Sequence, residues 1–420
     1  MSPCGNQDSF NPGNDTGVSR FGGLTAPFRY PDLRVLWIST LSNQLGQGMQ
    51  QVLLGWLVFD LTGSPTMVAA IFAARSAPNL VVGLVAGSVT DRLDRRTVMR
   101  ISVWGMMLGT LAVSLLLFSD QFNVWQLMAF TFFLGAMQAF YMTSRQVYVY
   151  DVVGASGALG GLAAISLAQR FGQVIGALLA GWLIQWQGPA VCFLVMSASY
   201  VVGGSTLYVL RRVGDSAPLD RESIAENISN YFRALKSNRV MLSLMVSTSA
   251  VEILGFSHQA LLPVLASAVL GVGPVGLGVL TAFRFVGGAV GVTALSMAGQ
   301  VQRQGVLLLV VLGLFGLGQV MLGQSLTFWM ALVFVALVNM MASITDVLHQ
   351  TLLQRSVSNE QRGRAMGSWV VGTGTAPAGQ LQIGYLAELS NTRIALLING
   401  VSLAMLALVM AVFMPRLRRL

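Results

Sequence analysis

Residues 66–96 read TMVAAIFAARSAPNLVVGLVAGSVTDRLDRR, an apolar stretch of helical length interrupted by Arg75 and ending in a short, densely charged loop. The hydrocarbon core of a bilayer is about 30 Å thick, so a helix needs roughly 20 mostly apolar residues to cross it. This stretch is long enough, and arginines at the end of a span belong on the cytosolic side. The same pattern recurs along the chain. Apolar runs near 33–61, 66–89, 98–118, 124–148, 159–184 and 191–210 form one set, and runs near 240–265, 275–298, 306–322, 326–348, 365–387 and 394–414 form a second. The expected fold is an all-α integral membrane protein with about twelve transmembrane helices in two six-helix, pseudo-repeated halves.

Composition supports this reading. Of 420 residues, 54% are hydrophobic and only 10% charged, with a mean hydropathy of +0.68, whereas a soluble domain is about 25% charged. Twelve spans and their loops use up the length and leave no room for a separate catalytic domain. The net charge of +9 does not point to nucleic acid, because the basic residues are scattered among loops rather than gathered on one face. Cys4 and Cys192 supply neither a disulfide framework nor a metal-site spacing, so no metal and no cofactor are expected.

The polarity of the remaining segments divides the chain. Residues 1–30 are rich in Gly, Asn, Ser and Pro and read as a disordered cytosolic tail; 31–210 form the first half and 211–239 a charged cytosolic linker; 240–415 form the second half and 416–420 a basic cytosolic tail. With both termini inside, about twenty of the 25 Lys and Arg fall on the cytosolic side and Arg393 falls outside, as the positive-inside rule requires of an inner (plasma) membrane protein.

The loop Gly87-Ser-Val-Thr-Asp91-Arg92-Leu-Asp94-Arg95-Arg96 resembles the major facilitator superfamily signature G-x-x-x-D-R-x-G-R-R/K, with Asp94 where the family has Gly. The resemblance implies a gate in which Asp91 latches onto a helix N-terminus of the other half, an arrangement that stabilises by about 0.3–1 kcal/mol. Gly172-Gln-Val-Ile-Gly176-Ala177-Leu-Leu-Ala180-Gly181 resembles the antiporter signature G-x-x-x-G-P-x-x-G-G, with Ala177 and Ala180 replacing Pro and Gly. A third signature would place arginine at Thr131, which this chain lacks. The pattern is most similar to the macrolide-efflux and siderophore-exporter branch, which implies export of a small organic solute by an ion gradient, protons before other ions. Gly176-x-x-x-x-Gly181 and Gly379-x-x-x-x-Gly384 recur at the same place in each half.

Ionisable residues inside spans carry the functional expectation, since a mid-bilayer charge costs about 2.5–3.5 kcal/mol on insertion scales and seeks a partner or a watery cavity. Arg75, Arg170, Arg284 and Glu252 lie deep and are expected to line the pathway. Arg145 and Asp346 lie nearer the cytosolic ends, where snorkelling or mutual pairing is the structural alternative. Four positive charges against two negative favour an anionic or amphipathic solute. Glu252, Asp346 and His349 are candidates for proton coupling, Asp346 and His349 being three apart on one helical face. Gln44, Gln47 and Gln51 recur at helical spacing, and that row must meet a cavity or another helix.

Other classes are disfavoured. Lys236 follows Leu235, so there is no phosphate-binding Gly-Lys-Ser/Thr, and no H-E-x-x-H or G-x-S-x-G supports an enzyme. A cationic multidrug antiporter and a non-transporting receptor or scaffold on the same fold are the alternatives. The expected partners are therefore a small solute, a coupling ion and the lipid bilayer.

Overall fold

The computed structural model describes residues 26–92, 94–119, 122–211, 239–299, 302–355 and 362–414. After a 3-10 turn at Ala26–Arg29 come α1 (Pro31–Thr62), α2 (Pro65–Arg92) and α3 (Arg95–Phe118). A helical run Val124–Thr206 follows, broken at Gly154 (φ 70°) and Gly188 (φ 84°). Glycine tolerates positive φ without a Cβ clash, so these two positions divide the run into α4 (124–153), α5 (155–187) and α6 (189–206).

The second half begins with α7, Arg239–Leu254, which continues through a 3-10 turn at Phe256–Leu261, one turn at Leu262–Val264 and a π turn at Leu265–Val269. Then come α8 (Gly273–Met297), α9 (Gln304–Gly323) and α10 (Phe328–Arg355). Two pieces, Arg362–Thr373 and Ala376–Leu389, make up α11, and α12 is Thr392–Phe413. The described residues thus form the twelve helices expected and contain no strand, and eight stretches among them are long and apolar enough by composition to cross a membrane. The expected linker and the two tails fall almost wholly outside them.

Local chemistry sets the ends. Pro31 opens α1, Gly63 closes it in the left-handed conformation, and Pro65 opens α2, which is the usual asymmetry of helix termini. The Asp94 carboxylate accepts from the Arg96 backbone N–H at 3.2 Å, so the residue that departs from the family glycine serves as an N-cap for α3. Asn123 with Gln126 forms a capping box on α4, and Asn391 caps α12.

Small residues set the packing, as they do where lipid tails compete with side chains on equal terms and close backbone approach supplies the attraction. A Cβ at Gly172 would lie 2.6 Å from the Leu41 carbonyl oxygen, and one at Gly176 2.1 Å from that of Leu45, so α5 lies directly on α1. A Cβ at Gly181 would lie 2.7 Å from the Pro274 oxygen, bringing α5 against α8 of the other half. The second half repeats this plan: a Cβ at Gly379 would lie 2.5 Å from Ile253 Cα on α7, and one at Gly384 2.2 Å from Ala69 Cβ on α2. The relations α1 to α7, α2 to α8 and α5 to α11 express a pseudo-two-fold repeat in the packing itself.

Polar contacts also join the halves. Glu388 at the end of α11 accepts from Ser64 Oγ (2.7 Å) and the Thr66 backbone N–H (3.2 Å) at the start of α2. Four residues after Gly181, as Glu388 stands four after Gly384, Gln185 faces Gly273 at the start of α8. Deeper in the bundle, Ser76 Oγ donates to Gln380 Oε1 at 2.8 Å.

Gly176→Val is expected to destabilise the folded protein by about 1–3 kcal/mol through overpacking, lowering its thermal midpoint in detergent. Gly313→Ala, whose added Cβ meets nothing within 4 Å, should leave the midpoint unchanged or raise it slightly.

Candidate functional site

The helices enclose two lobes of about 150 and 220 Å³ that share one lining residue, Gln259. The smaller is rich in amides. Gln47, Gln50 and Gln51 come from α1, Arg75 and Asn79 from α2, Gln138 from α4 and Gln380 from α11. The larger takes Arg170 and Gln173 from α5, Arg284 from α8, and Asn339, Ser343 and Asp346 from α10.

The glutamine row of α1 meets both the cavity and its neighbours. Arg75 donates through Nη1 to Gln51 Oε1 (2.7 Å) and through Nη2 to Gln47 Oε1 (2.8 Å), while Gln47 Nε2 donates to the Tyr200 hydroxyl (3.2 Å). Gln44 Oε1 accepts from Gln173 at 3.1 Å. The Arg75 charge is therefore held in place by neutral acceptors.

The larger lobe is less well satisfied. Arg284 donates through Nη2 to Gln259 Oε1 at 2.5 Å and lies 4.9 Å from the Phe285 ring centroid, but its Nε and Nη1 are shielded from solvent with no hydrogen-bond partner. Leaving a buried donor unpaired costs about 1–3 kcal/mol, more for a charged group. Gly288 makes room for Arg170, whose Nη1 would lie 3.2 Å from a Cβ there. The charges of Arg75 and Arg170 both act on Arg284, so three guanidiniums on three helices bring positive potential to one region.

The break in α7 presents Gln259, and three neighbouring helices hold the break. Carbonyls freed where the helix tightens into a 3-10 turn must find donors, because lipid supplies none. Gln319 Nε2 on α9 donates to the Leu254 and Gly255 oxygens (3.2 and 2.6 Å), and His258 Nδ1 donates to Gly255 (2.7 Å). Asn339 on α10 donates to His258 Nε2 at 3.3 Å, and Asn399 on α12 to Ser257 Oγ at 3.0 Å.

Other residues singled out in the sequence fall as follows. Asp346 lines the larger lobe and accepts from Trp369 Nε1 (3.0 Å) and Gln350 Nε2 (3.3 Å), within electrostatic reach of Arg170. Glu252 lines neither lobe but is close enough to feel the Asp346 charge. His349 is bonded to Ser247 (2.8 Å) and the Thr345 carbonyl (2.9 Å) rather than to Asp346, although the two share a helix face. Arg145 neither snorkels nor pairs with Asp346. It is 1% exposed, with Nη2 on the Met142 sulfur at 3.3 Å and its guanidinium 5.6 Å from the Tyr141 ring centroid.

In the gating motif, Arg95 forms an ion pair with Asp151 on α4, and Arg96 bonds Asp94 and the Leu210 carbonyl, ties within the first half. Gly87, Asp91 and Arg92 belong to α2, and their side chains, with the expected Asp91 latch, lie outside the described residues. Gln259, Gln380, Asn339 and Gln319 were not singled out from the sequence. Gln319 and Asn339 carried a signal, each a lone amide in an apolar run, whereas Gln259 follows Ser257 and His258 and Gln380 stands two residues before Gln382.

A bundle of twelve helices in two repeated halves, with a polar, charge-lined cavity between them, is the architecture of the major facilitator transporters. Within that class, residues 22–419 match the transmembrane secretion effector family, to which the chain belongs. It is 27% identical over 416 residues to the multidrug efflux pump Tap of Mycolicibacterium fortuitum, covering 94% of this chain and 98% of that protein. It is 20% identical over 362 residues to the staphyloferrin A transporter of Staphylococcus aureus, covering 85% and 90%. The crystal structure of the peptide transporter POT in complex with sulfate shares the fold, with a TM-score of 0.76, 13% identity and coverage of 93% of this chain and 95% of that one. The nucleoside transporter NupG does so at a TM-score of 0.74 and 13% identity, covering 91% and 99%.

Gln319→Leu removes the donor to two carbonyls at the α7 break and should destabilise the protein by about 1–3 kcal/mol, read as a fall in thermal midpoint. Gln319→Glu, which keeps the shape but presents an acceptor to those oxygens, is expected to be at least as damaging.

Proposed function

We propose that this transporter exports a small amphipathic organic anion across the plasma membrane by alternating access, coupled to protons, with both termini in the cytosol. The observation that carries the reading is the larger lobe, where Arg170 and the partly unsatisfied Arg284 face a cavity containing one carboxylate, Asp346. In this reading residues 31–210 and 240–415 rock as two bodies about the lobes, joined by the 211–239 linker. The glycine contacts of α5 and α11 are the surfaces on which they turn.

The sign of the charges constrains the coupling. Protonating Asp346 makes the lobe more positive, so a proton at that site strengthens anion binding rather than displacing the anion. Proton exchange for an exported anion must then act through Glu252 and Asp346 on the balance between the two facing states. An inside-negative potential itself favours anion exit, by about 2.3 kcal/mol per charge per 100 mV. A cation, by contrast, would compete with a proton at Asp346 directly. That geometry, together with the multidrug efflux pump among the relatives, supports cationic multidrug antiport as the second reading.

Two measurements separate them. Binding to purified protein should strengthen as pH falls for an anionic solute and weaken as pH falls for a cationic one. In proteoliposomes carrying a pH gradient, Glu252→Gln combined with Asp346→Asn should abolish proton-coupled flux while anion binding is kept or strengthened. Retention of coupled flux in the double variant would remove these acids from the coupling role.

A further inference from the structure

We propose that Gln259 is the specificity-determining residue of the cavity, selecting organic anions that carry a second hydrogen-bond acceptor. This rests on the anion reading above and names a residue and a ligand geometry that the reading does not require.

The argument begins with chemistry. Arg284 can only donate, so the Gln259 atom facing its Nη2 at 2.5 Å is the amide oxygen, and the amide NH₂ is turned away from the guanidinium. No described residue accepts from that NH₂. Gln259 also lines both lobes. A carboxylate drawn to the Arg284 guanidinium in the larger lobe therefore meets a free amide donor beside the charge, and a ligand reaching from one lobe toward the other passes that donor.

Position reinforces this. Gln259 sits on the 3-10 turn of α7, whose flanking residues Ser257 and His258 are fixed by Asn399 and Asn339, and whose preceding carbonyl is fixed by Gln319 and His258. A donor on a turn pinned from three helices loses little freedom on binding, so its hydrogen bond discriminates between ligands. A cavity built only to attract charge would bind any small anion. This one places a directional donor next to the charge, and it rejects an anion lacking the second acceptor because Gln259 then stays unpaired.

The test measures binding of a dicarboxylate series, malonate to adipate, and of acetate to the detergent-purified full chain by thermal shift and calorimetry. Wild type should bind at least one dicarboxylate about tenfold or more tightly than acetate, the increment expected of a hydrogen bond to a charged partner. Gln259→Leu should keep acetate binding within about threefold and lose the dicarboxylate advantage. Gln259→Glu should pair with Arg284 and weaken both. The ligand-free thermal midpoint of each variant verifies folding, and Gln259→Asn, which draws the same amide back by one methylene, replaces any variant that fails it and should lose part of the advantage. If folded Gln259→Leu, or Gln259→Asn in its place, keeps the full dicarboxylate preference, the role assigned to Gln259 is overturned. If wild type prefers a dicarboxylate no more than acetate, the inference fails while the anion reading stands. If it binds no anion but binds tetraphenylphosphonium, both fall together.

Discussion

Lipid offers no hydrogen bonds, and the departure of α7 from α-helical geometry at Gly255–Leu261 is tolerated because the bundle supplies the missing donors. Gln319 and His258 satisfy the carbonyls that the tightened turn releases, and Asn339 and Asn399 hold His258 and Ser257 in turn. This small polar network accounts for Gln319 in α9, Asn339 in α10 and Asn399 in α12. It also explains the fully buried His258, whose ring is committed on both nitrogens. The site follows from the same constraint, because the irregular turn carries Gln259 to the place where both lobes meet.

Close backbone approach is the second organising principle. The glycines of α5 and α11 do equivalent work in the two halves, one pair seating each helix on the first helix of its own half and the other pair on the second helix of the opposite half. Replacement of the signature proline by Ala177 leaves this arrangement intact, because small volume is what it needs: a Cβ at Gly278 would lie 2.7 Å from the Ala177 carbonyl. The repeat is broken at one instructive place. Glu388 brings a charge to the α2 N-terminus, where it gains from the helix dipole, while its counterpart Gln185 is neutral.

Charge in the cavity is distributed unequally in kind. Arg75 is satisfied in hydrogen bonding, though not in charge, by two glutamine oxygens, whereas Arg284 keeps two buried donors without a hydrogen-bond partner. Two arginines of similar burial thus differ in what they offer a ligand, and only the partners of each guanidinium reveal it. Arg145 also carries an unpaired Nε and Nη1, but it lies between a methionine and a tyrosine and lines neither lobe, so position separates it from Arg284.

The sequence by itself determined the all-α architecture, most helix limits to within a few residues and the packing glycines, and it singled out Arg75, Arg170, Arg284, Gln47 and Gln51, all of which line the lobes. Those features are legible because membrane insertion depends on local composition and because small residues and buried charges are rare enough to stand out. Which buried groups share a cavity was decided by the tertiary structure. Asp346 and His349 share a helix face yet bond to different neighbours, Glu252 stands outside the lobes, and Gln259, an inconspicuous amide in sequence, lines both. Hydropathy reports whether a segment enters lipid, but the direction a side chain takes once there depends on helix rotation and on partners hundreds of residues away.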